Sequence, residues 1–132
     1  MAEKSQNKEV ATVIKADEAV EAVILSPLEE LLKTADVLLM LYPKDENGYF
    51  SESIGAKDEI DIYKLLREKQ EVKNSLVILL DTSGGNVYSA VKIMDTLRTK
   101  YKKITIAIPQ EAKSSGTMMC CGADKLIMGP IS

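Results

Sequence analysis

The sequence predicts an α/β domain built on a mainly parallel sheet. Four short apolar runs alternate with segments of helical spacing, in the order strand, helix, strand, helix, strand, helix, strand. Continuous apolar runs are typical of strands covered on both faces. Strands and helices that alternate in this way imply right-handed crossovers between parallel strands. The predicted strands are residues 37–42, 75–80, 103–108 and 125–128.

The chain before the first strand divides into two parts. Residues 1–22 mix charged and amide side chains with scattered Ala and Val, and we expect a polar arm ahead of a domain spanning residues 23–132. The run SPLE at residues 26–29 places a hydroxyl, a proline and a glutamate at the spacing of a capping box. It predicts a short helix over residues 27–34.

A polar segment separates the first strand from the next helix. Pro43 stops the strand, and residues 43–57 predict a hairpin or surface loop that turns at Asn47 and Gly48. Residues 58–70 then resume helical spacing. The apolar residues predicted to share the inner face of this helix are Ile62, Leu65 and Leu66.

The second half repeats the unit of strand, turn and helix twice. The run DTSGG at residues 81–85 follows the second strand directly, and Pro109 ends the third. Small and apolar residues at 114–121 predict a helix that Gly122 caps. The helix after residue 85 carries an apolar stripe of Val87, Ala90, Val91, Met94, Leu97 and Tyr101.

Composition narrows the functional classes. A chain of 132 residues is long enough for one domain with a sizeable core. Its net charge of -3 argues against nucleic-acid binding, which needs a basic face. The sequence has no apolar run of membrane-spanning length and no amino-terminal apolar segment of a signal peptide. We therefore expect a cytoplasmic protein without a transmembrane segment.

The residues that usually carry metal and acid-base chemistry are few. Cys120 and Cys121 are adjacent, which predicts reduced core thiols rather than a disulfide framework or a zinc site. We expect neither a metal nor a cofactor. The sequence contains no histidine, the usual base for a serine or cysteine nucleophile. A hydrolytic mechanism must then use a lysine, a carboxylate or a group outside the chain.

Two small-residue turns follow predicted strands, where ligands collect in parallel α/β sheets. They are residues 81–85 and 113–117. Backbone N–H groups at such turns can stabilise the oxyanion of acyl transfer, and a serine just before a helix can act as a nucleophile. This hypothesis assigns the nucleophile to Ser114 Oγ and the oxyanion hole to the N–H groups of Gly85 and Ser115.

Simpler interpretations of the same residues remain open. The glycine pair is compatible with a tight turn, and Ser114 or Ser115 with a helix N-cap. Glycine turns at helix starts also bind phosphate, although the sequence lacks the GxxxxGK[ST] and GxGxxG patterns.

Four stretches taken in this order resemble a known family: residues 80–85, 104–108, 112–117 and 122–130. They look like the Clp protease/crotonase superfamily, and within it most like the serine dehydrogenase proteinase and signal peptide peptidase A branch. The resemblance implies a ββα superhelix of the crotonase type. It also implies Ser114 as the nucleophile, with the backbone of Gly85 and Ser115 as the oxyanion hole.

The chain departs from the resemblance at the base. Clp proteases use a histidine and an aspartate, so the missing histidine favours the branch in which a desolvated lysine takes the serine proton. In those relatives the lysine lies beyond the Gly-Pro turn, and here the chain stops at Ser132. We expect a carboxy-terminally truncated form, a base from a neighbouring subunit, or a shortened inactive relative. Lys125 and Lys102 are fallback bases.

The resemblance therefore implies a peptidase domain that hydrolyses peptide bonds in a peptide or protein substrate through an acyl-enzyme on Ser114. Members of the superfamily commonly form rings or layered assemblies, so a homo-oligomer is expected. Two alternatives stay open. One is a non-catalytic oligomeric scaffold or peptide-binding module of the same fold. The other is a crotonase-like enzyme that acts on an acyl-CoA.

Overall fold

The computed structural model describes residues 33–132, which form a four-stranded parallel sheet in the order β1-β2-β3-β4. The strands are β1 (Asp36–Leu41), β2 (Ser75–Asp81), β3 (Lys103–Ile108) and β4 (Lys125–Met128). The prediction of an α/β domain with a parallel sheet is confirmed. The predicted arm of residues 1–22 lies outside the described residues, as does the predicted helix of residues 27–34 except for its last two, Lys33 and Thr34, which are helical.

Three helices connect the strands: α1 (Ala56–Glu68), α2 (Val87–Arg98) and α3 (Ser115–Cys121). The Asp58 carboxylate accepts the N–H of Gly55 at 2.8 Å, which fixes the start of α1. The side chain of Asn86 caps α2 by accepting the N–H of Ser89 at 3.1 Å. None of these described helices has the length and hydrophobicity that a membrane crossing requires.

All three helices pack on the same face of the sheet. Their buried side chains form one cluster with alternate residues of the strands, which sit side by side in the register of the sheet. Right-handed crossovers between strands that follow one another in space place every helix on one side. The main members of this core are Ile62, Leu66, Ala90, Ile93, Met94, Leu97, Met119, Leu76, Ile78, Leu80, Ile104, Ile106 and Ile108.

The opposite face of the sheet is apolar and carries no described helix. Leu39, Leu41 and Ile127 point to this side and are 38%, 45% and 48% exposed. Leu39 pairs in register with Leu79, whose neighbour Ala107 pairs in turn with Ile127. A row of apolar side chains therefore crosses all four strands on the face without helices.

The predicted inner faces of the helices are too broad at three residues. Leu65 is 49% exposed, so only Ile62 and Leu66 of the predicted face of α1 reach the core. Val87 and Val91 are 44% and 42% exposed, because α2 turns the stripe that includes Ile93 towards the sheet instead.

The cysteine prediction is correct for only one of the pair. Cys120 is buried in α3, whereas Cys121 is exposed, since successive helical residues point about 100° apart. Both thiols are free, as predicted. Burial raises the pKa of the Cys120 thiol.

The loop after β1 forms the predicted hairpin. Lys44 and Phe50 make an antiparallel bridge, and Gly48 turns the chain with φ of 82°. The N–H of Gly48 donates to the carbonyl of Asp45 at 2.9 Å. The chain then reaches Ile54, which is 1% exposed and lies against the turn after β2.

A polar network joins three elements at the amino end of the sheet. Asp36 is 6% exposed, accepts the Tyr101 hydroxyl at 2.9 Å and pairs with Lys69 Nζ at 2.9 Å. Burial raises the pKa of the Asp36 carboxyl, but the hydrogen bonds from Lys69 and Tyr101 outweigh burial and hold that pKa below its usual value.

Candidate active site

The two turns predicted to carry the chemistry meet beyond the carboxyl ends of β2 and β3. The N–H of Thr82 donates to the carbonyl of Glu111 at 2.9 Å, and the N–H of Lys113 donates to the carbonyl of Thr82 at 3.1 Å. Gly116 lies close against Thr82, since a Cβ on Gly116 would lie 2.7 Å from Thr82 Cγ2. The pairing of the strands is thus extended past the sheet and aligns residues 81–85 with residues 111–116.

Gly84 lies directly beside Ser114. Its φ is +112°, and a Cβ on it would lie 2.6 Å from Ser114 Cβ and 3.2 Å from Ser114 Oγ. The Thr82 hydroxyl fixes the turn by accepting the N–H of Gly84 at 3.0 Å. A glycine is required here both for the positive φ and for the close approach of the two turns.

Gly85 is held by Ile54, whose contact with this turn has no signal in the sequence. The N–H of Ile54 donates to the carbonyl of Gly84 at 2.9 Å, and the carbonyl of Ile54 accepts the N–H of Asn86 at 2.8 Å. A Cβ on Gly85 would collide with the backbone of Ile54. Gly85 is exposed, and its own N–H finds no hydrogen-bond acceptor in the part of the chain from residue 33 onward.

Ser114 has a backbone conformation that is rare for a residue with a side chain. Its φ is 52° and its ψ is -119°, and no other non-glycine residue among residues 33–132 has a positive φ. It occupies the N-cap position of α3, but its hydroxyl makes no capping hydrogen bond. Ser114 is exposed, so the interpretation of its side chain as a helix cap is wrong.

Ser115 is the first residue of α3 and is fully buried. Its N–H has no acceptor among the described residues, and its buried hydroxyl has no hydrogen-bond partner there either. It does not serve as a side-chain cap. Each of the two turns therefore has one N–H group without an acceptor among the described residues, that of Gly85 in the first and that of Ser115 in the second.

A cluster of charged side chains lies immediately before Ser114. Lys44 Nζ is 3.2 Å from Glu111 Oε1 and 3.9 Å from Asp81 Oδ2, and Lys113 pairs with the other oxygen of Glu111. The hydrogen bonds from Lys113 and then Lys44 hold the pKa of the Glu111 carboxyl below its usual value. Lys44 was not identified from the sequence, because nothing in the polar hairpin distinguishes it from other surface lysines.

The two fallback bases lie far from this cluster. Lys102 precedes β3 and donates its N–H to Asn74, while Lys125 begins β4, so both stand at the amino ends of strands whose carboxyl ends face Ser114. Within the described residues, no side chain hydrogen-bonds to Ser114 Oγ. The same region contains no group of three cysteine or carboxylate residues able to hold a metal ion.

A cleft of about 610 Å³ opens next to the serine turn. It combines an apolar floor from the ends of β3 and β4 with a polar rim from the charged cluster. Its lining residues are Lys44, Ile108, Gln110, Glu111, Ala112, Lys113, Met128, Ile131 and Ser132.

Comparison with known proteins gives consistent matches. The family described as "Clp protease" matches residues 50–128. "Probable protease SohB" of Buchnera aphidicola is 27% identical over 107 residues, which cover 79% of this chain and 31% of that protein. "Probable protease SohB" of Haemophilus influenzae is 31% identical over 86 residues, which cover 62% of this chain and 23% of that protein.

Among solved structures, a variant of ClpP1 from Listeria monocytogenes is similar in fold. Its TM-score is 0.53 at 17% sequence identity, and the match covers 74% of this chain and 51% of that one. The chain therefore spans less than a third of each SohB protein and about half of the ClpP1 chain.

Proposed function

Because this chain belongs to the Clp protease family, we propose that it is a serine-peptidase domain that hydrolyses peptide bonds through an acyl-enzyme on Ser114. The proposed substrate is a peptide or protein segment that lies across the two turns. The similarity to the SohB proteins supports a peptidase type of activity. We further propose that the domain works in the cytoplasm as a homo-oligomer, without a metal or cofactor.

The backbone of Ser114 is the observation that supports this proposal best. Rare backbone conformations of non-glycine residues cost about 1–3 kcal/mol and persist where the surrounding structure enforces them. The conformation of Ser114 presents its hydroxyl to solvent beside Gly84 instead of capping α3. A serine that served only to start the helix would have no need of this strain.

In the proposed reaction, Ser114 Oγ attacks the carbonyl carbon of the scissile peptide bond while a base takes the hydroxyl proton. The carbonyl π electrons move to oxygen, and the N–H groups of Gly85 and Ser115 donate to the oxyanion. When the C–N bond breaks, the base returns the proton to the leaving amine. Water then attacks the ester carbonyl while the base takes one of its protons, the C–Oγ bond breaks to release the acid, and the base passes that proton to Ser114 Oγ.

The base comes from outside the described residues in this proposal. Lys113 and Lys44 both pair with Glu111, and salt bridges are made by the ammonium form, which has no lone pair to accept a proton. A lysine base must instead be uncharged and desolvated. We propose that another segment of the protein or a neighbouring subunit brings such a lysine to Ser114.

A fluorophosphonate probe tests the proposal directly, because a serine hydroxyl activated by a base displaces fluoride from phosphorus. The protein is used in the longest form that its gene encodes. We expect covalent labelling at Ser114, found by mass spectrometry of the tryptic peptide. Ser114→Ala must abolish labelling, whereas Ser83→Ala, which changes an exposed serine of the facing turn, must retain it.

A folded protein that resists labelling and cleaves no peptide would exclude this proposal. A second candidate is the non-catalytic assembly module of the same fold, and the lack of any side chain hydrogen-bonded to Ser114 Oγ within residues 33–132 favours it. Ordered oligomers without labelling would support that candidate. Calorimetric binding of an acyl-CoA without labelling would support the crotonase-like alternative.

A further inference from the structure

We infer that Lys44 is a positioning residue, which holds the segment before Ser114 against the end of β2 and so keeps the serine turn in its strained form. This inference rests on the proposed role of Ser114 as the nucleophile. Lys44 belongs to the hairpin after β1 and is distant in sequence from the segment that it contacts, as it lies 66 positions before Gln110.

The ammonium of Lys44 reaches three side chains around the serine turn. It donates to Gln110 Oε1 at 2.7 Å, pairs with Glu111 Oε1 at 3.2 Å and lies 3.9 Å from Asp81 Oδ2. Asp81 Oδ1 in turn accepts the N–H of Glu111 at 3.2 Å. One lysine therefore joins the end of β2 to two consecutive residues of the segment that leads to Ser114.

The lysine is itself held in place on the hairpin side. Its backbone bridges to Phe50, and its ammonium lies 4.4 Å from the centre of the Phe50 ring, within the range of a cation–π contact. Phe50 packs against the hydrophobic core. The side chain of Lys44 is only 25% exposed, so it contacts protein on most of its surface.

The segment from residue 110 to Ser114 needs such a restraint. Its backbone is fixed to the rest of the sheet mainly through Thr82, which accepts the N–H of Lys113 and donates to the carbonyl of Glu111. Ala112 packs against the core, but neither Gln110 nor Glu111 belongs to the hydrophobic cluster. A strained residue at the end of this segment relaxes unless the residues before it are fixed, and Lys44 supplies side-chain restraints at two of them.

The charge balance of the cluster also favours a positioning role over a catalytic one. The cluster contains two lysines, Lys44 and Lys113, and two carboxylates, Asp81 and Glu111. Lys44 is surrounded by acceptors, and its ammonium is required for all of these contacts. It therefore acts on Ser114 through Glu111 and the backbone, without taking the serine proton.

The test compares Lys44→Met, Lys44→Arg and a matched control in the full-length protein. Met keeps the length of the side chain without its charge, and Arg restores the charge. Lys92→Met is the control, because Lys92 pairs with Glu59 at 3.5 Å on the exposed side of the helical layer. The measurements are amide hydrogen exchange at Glu111 and Lys113 and the fluorophosphonate labelling rate at low and saturating probe.

We expect Lys44→Met to speed amide exchange at Glu111 and Lys113 while exchange in α2 stays unchanged. The maximal labelling rate should fall about 10- to 100-fold, because small misplacements of reacting groups slow enzymes by such factors. The probe concentration that gives half of the maximal rate should change little. Lys44→Arg should recover most of both effects. Lys92→Met should match the wild type.

Two results would overturn the inference. One is wild-type exchange at both amides in Lys44→Met, and the other is a loss of labelling that Lys44→Arg fails to recover in any part. If the wild-type protein is not labelled at all, the proposed function fails, and the exchange measurement alone decides whether Lys44 holds the segment.

Discussion

A glycine-to-alanine pair tests how closely the two turns approach each other. Gly84 and Gly48 both have positive φ, at +112° and +82°, so alanine strains the backbone at either site. Only Gly84 is crowded: its added Cβ would lie 2.6 Å from Ser114 Cβ and 2.7 Å from the Lys113 carbonyl oxygen, whereas Gly48 has nothing within 4 Å. Gly48→Ala is therefore a control for the backbone strain alone.

The structure sets the expected difference between the two variants. Backbone strain destabilises Gly48→Ala by about 1–2 kcal/mol, and Gly84→Ala by at least as much because its φ lies further from the left-handed helical region. Overpacking adds about 1–3 kcal/mol to Gly84→Ala, because backbone and a short side chain cannot rotate away. With a urea m-value on the order of 2 kcal/mol/M, an extra 2 kcal/mol lowers the unfolding midpoint of Gly84→Ala by about 1 M relative to Gly48→Ala.

Urea unfolding followed by circular dichroism measures this difference, and the labelling rate of Ser114 reports on the geometry of the turn. Equal midpoints for the two variants would refute the close approach of Gly84 to Ser114. A stable Gly84→Ala protein with wild-type labelling would also refute the assignment of this turn to the active site.

Three further predictions concern strain, charge and thiol exposure. Ser114→Gly should be about 1 kcal/mol more stable than Ser114→Ala in urea unfolding, since glycine relieves the positive φ. Asp36→Asn should lose about 1–3 kcal/mol at pH 7 through its weakened contacts with Lys69 and Tyr101. Because the folded pKa of Asp36 is lowered, its stabilising effect is complete above the unfolded pKa of about 3.9 and is lost as pH falls through the folded value, so the two proteins should converge in acid. A maleimide should modify exposed Cys121 in the native protein, and buried Cys120 only after unfolding.

Each of these predictions has an opposite outcome that would contradict it. Equal stability of the two Ser114 variants would show that the turn is unstrained. An Asp36→Asn difference that persists unchanged at pH 3 would mean that the carboxylate charge does not stabilise the fold. Modification of both thiols at the same rate in native protein would contradict the burial of Cys120, and Cys121→Ser provides the control.

The strands were predicted well, because a buried strand stands out in the sequence as a short run of apolar residues. After Ser75 and Lys103, the runs at residues 75–80 and 103–108 are apolar or β-branched throughout, and most of their residues are buried in the sheet. Helix faces were harder, as an apolar residue at helical spacing is compatible with several rotations of the helix. Val91 fits the stripe of α2 as well as Ile93 does, and only packing against the sheet selects Ile93.

The candidate site, too, was only partly predictable from the sequence. Gly84 and Gly85 were visible because glycine readily tolerates the positive φ that both adopt. Thr82, Ile54 and Lys44 were missed as parts of the site, because their roles depend on contacts between distant segments. The strained φ of Ser114 also has no sequence signal, since the same letters are compatible with an ordinary helix N-cap.

The one-sided arrangement of the helices separates two surfaces of the protein by direction. The apolar row from Leu39 to Ile127 faces along the normal of the sheet, whereas the serine turn lies beyond the carboxyl ends of the strands, in the direction of the strand axes. These directions are perpendicular. A partner that covered the row would therefore approach across the face of the sheet, whereas a substrate would reach Ser114 from the ends of the strands.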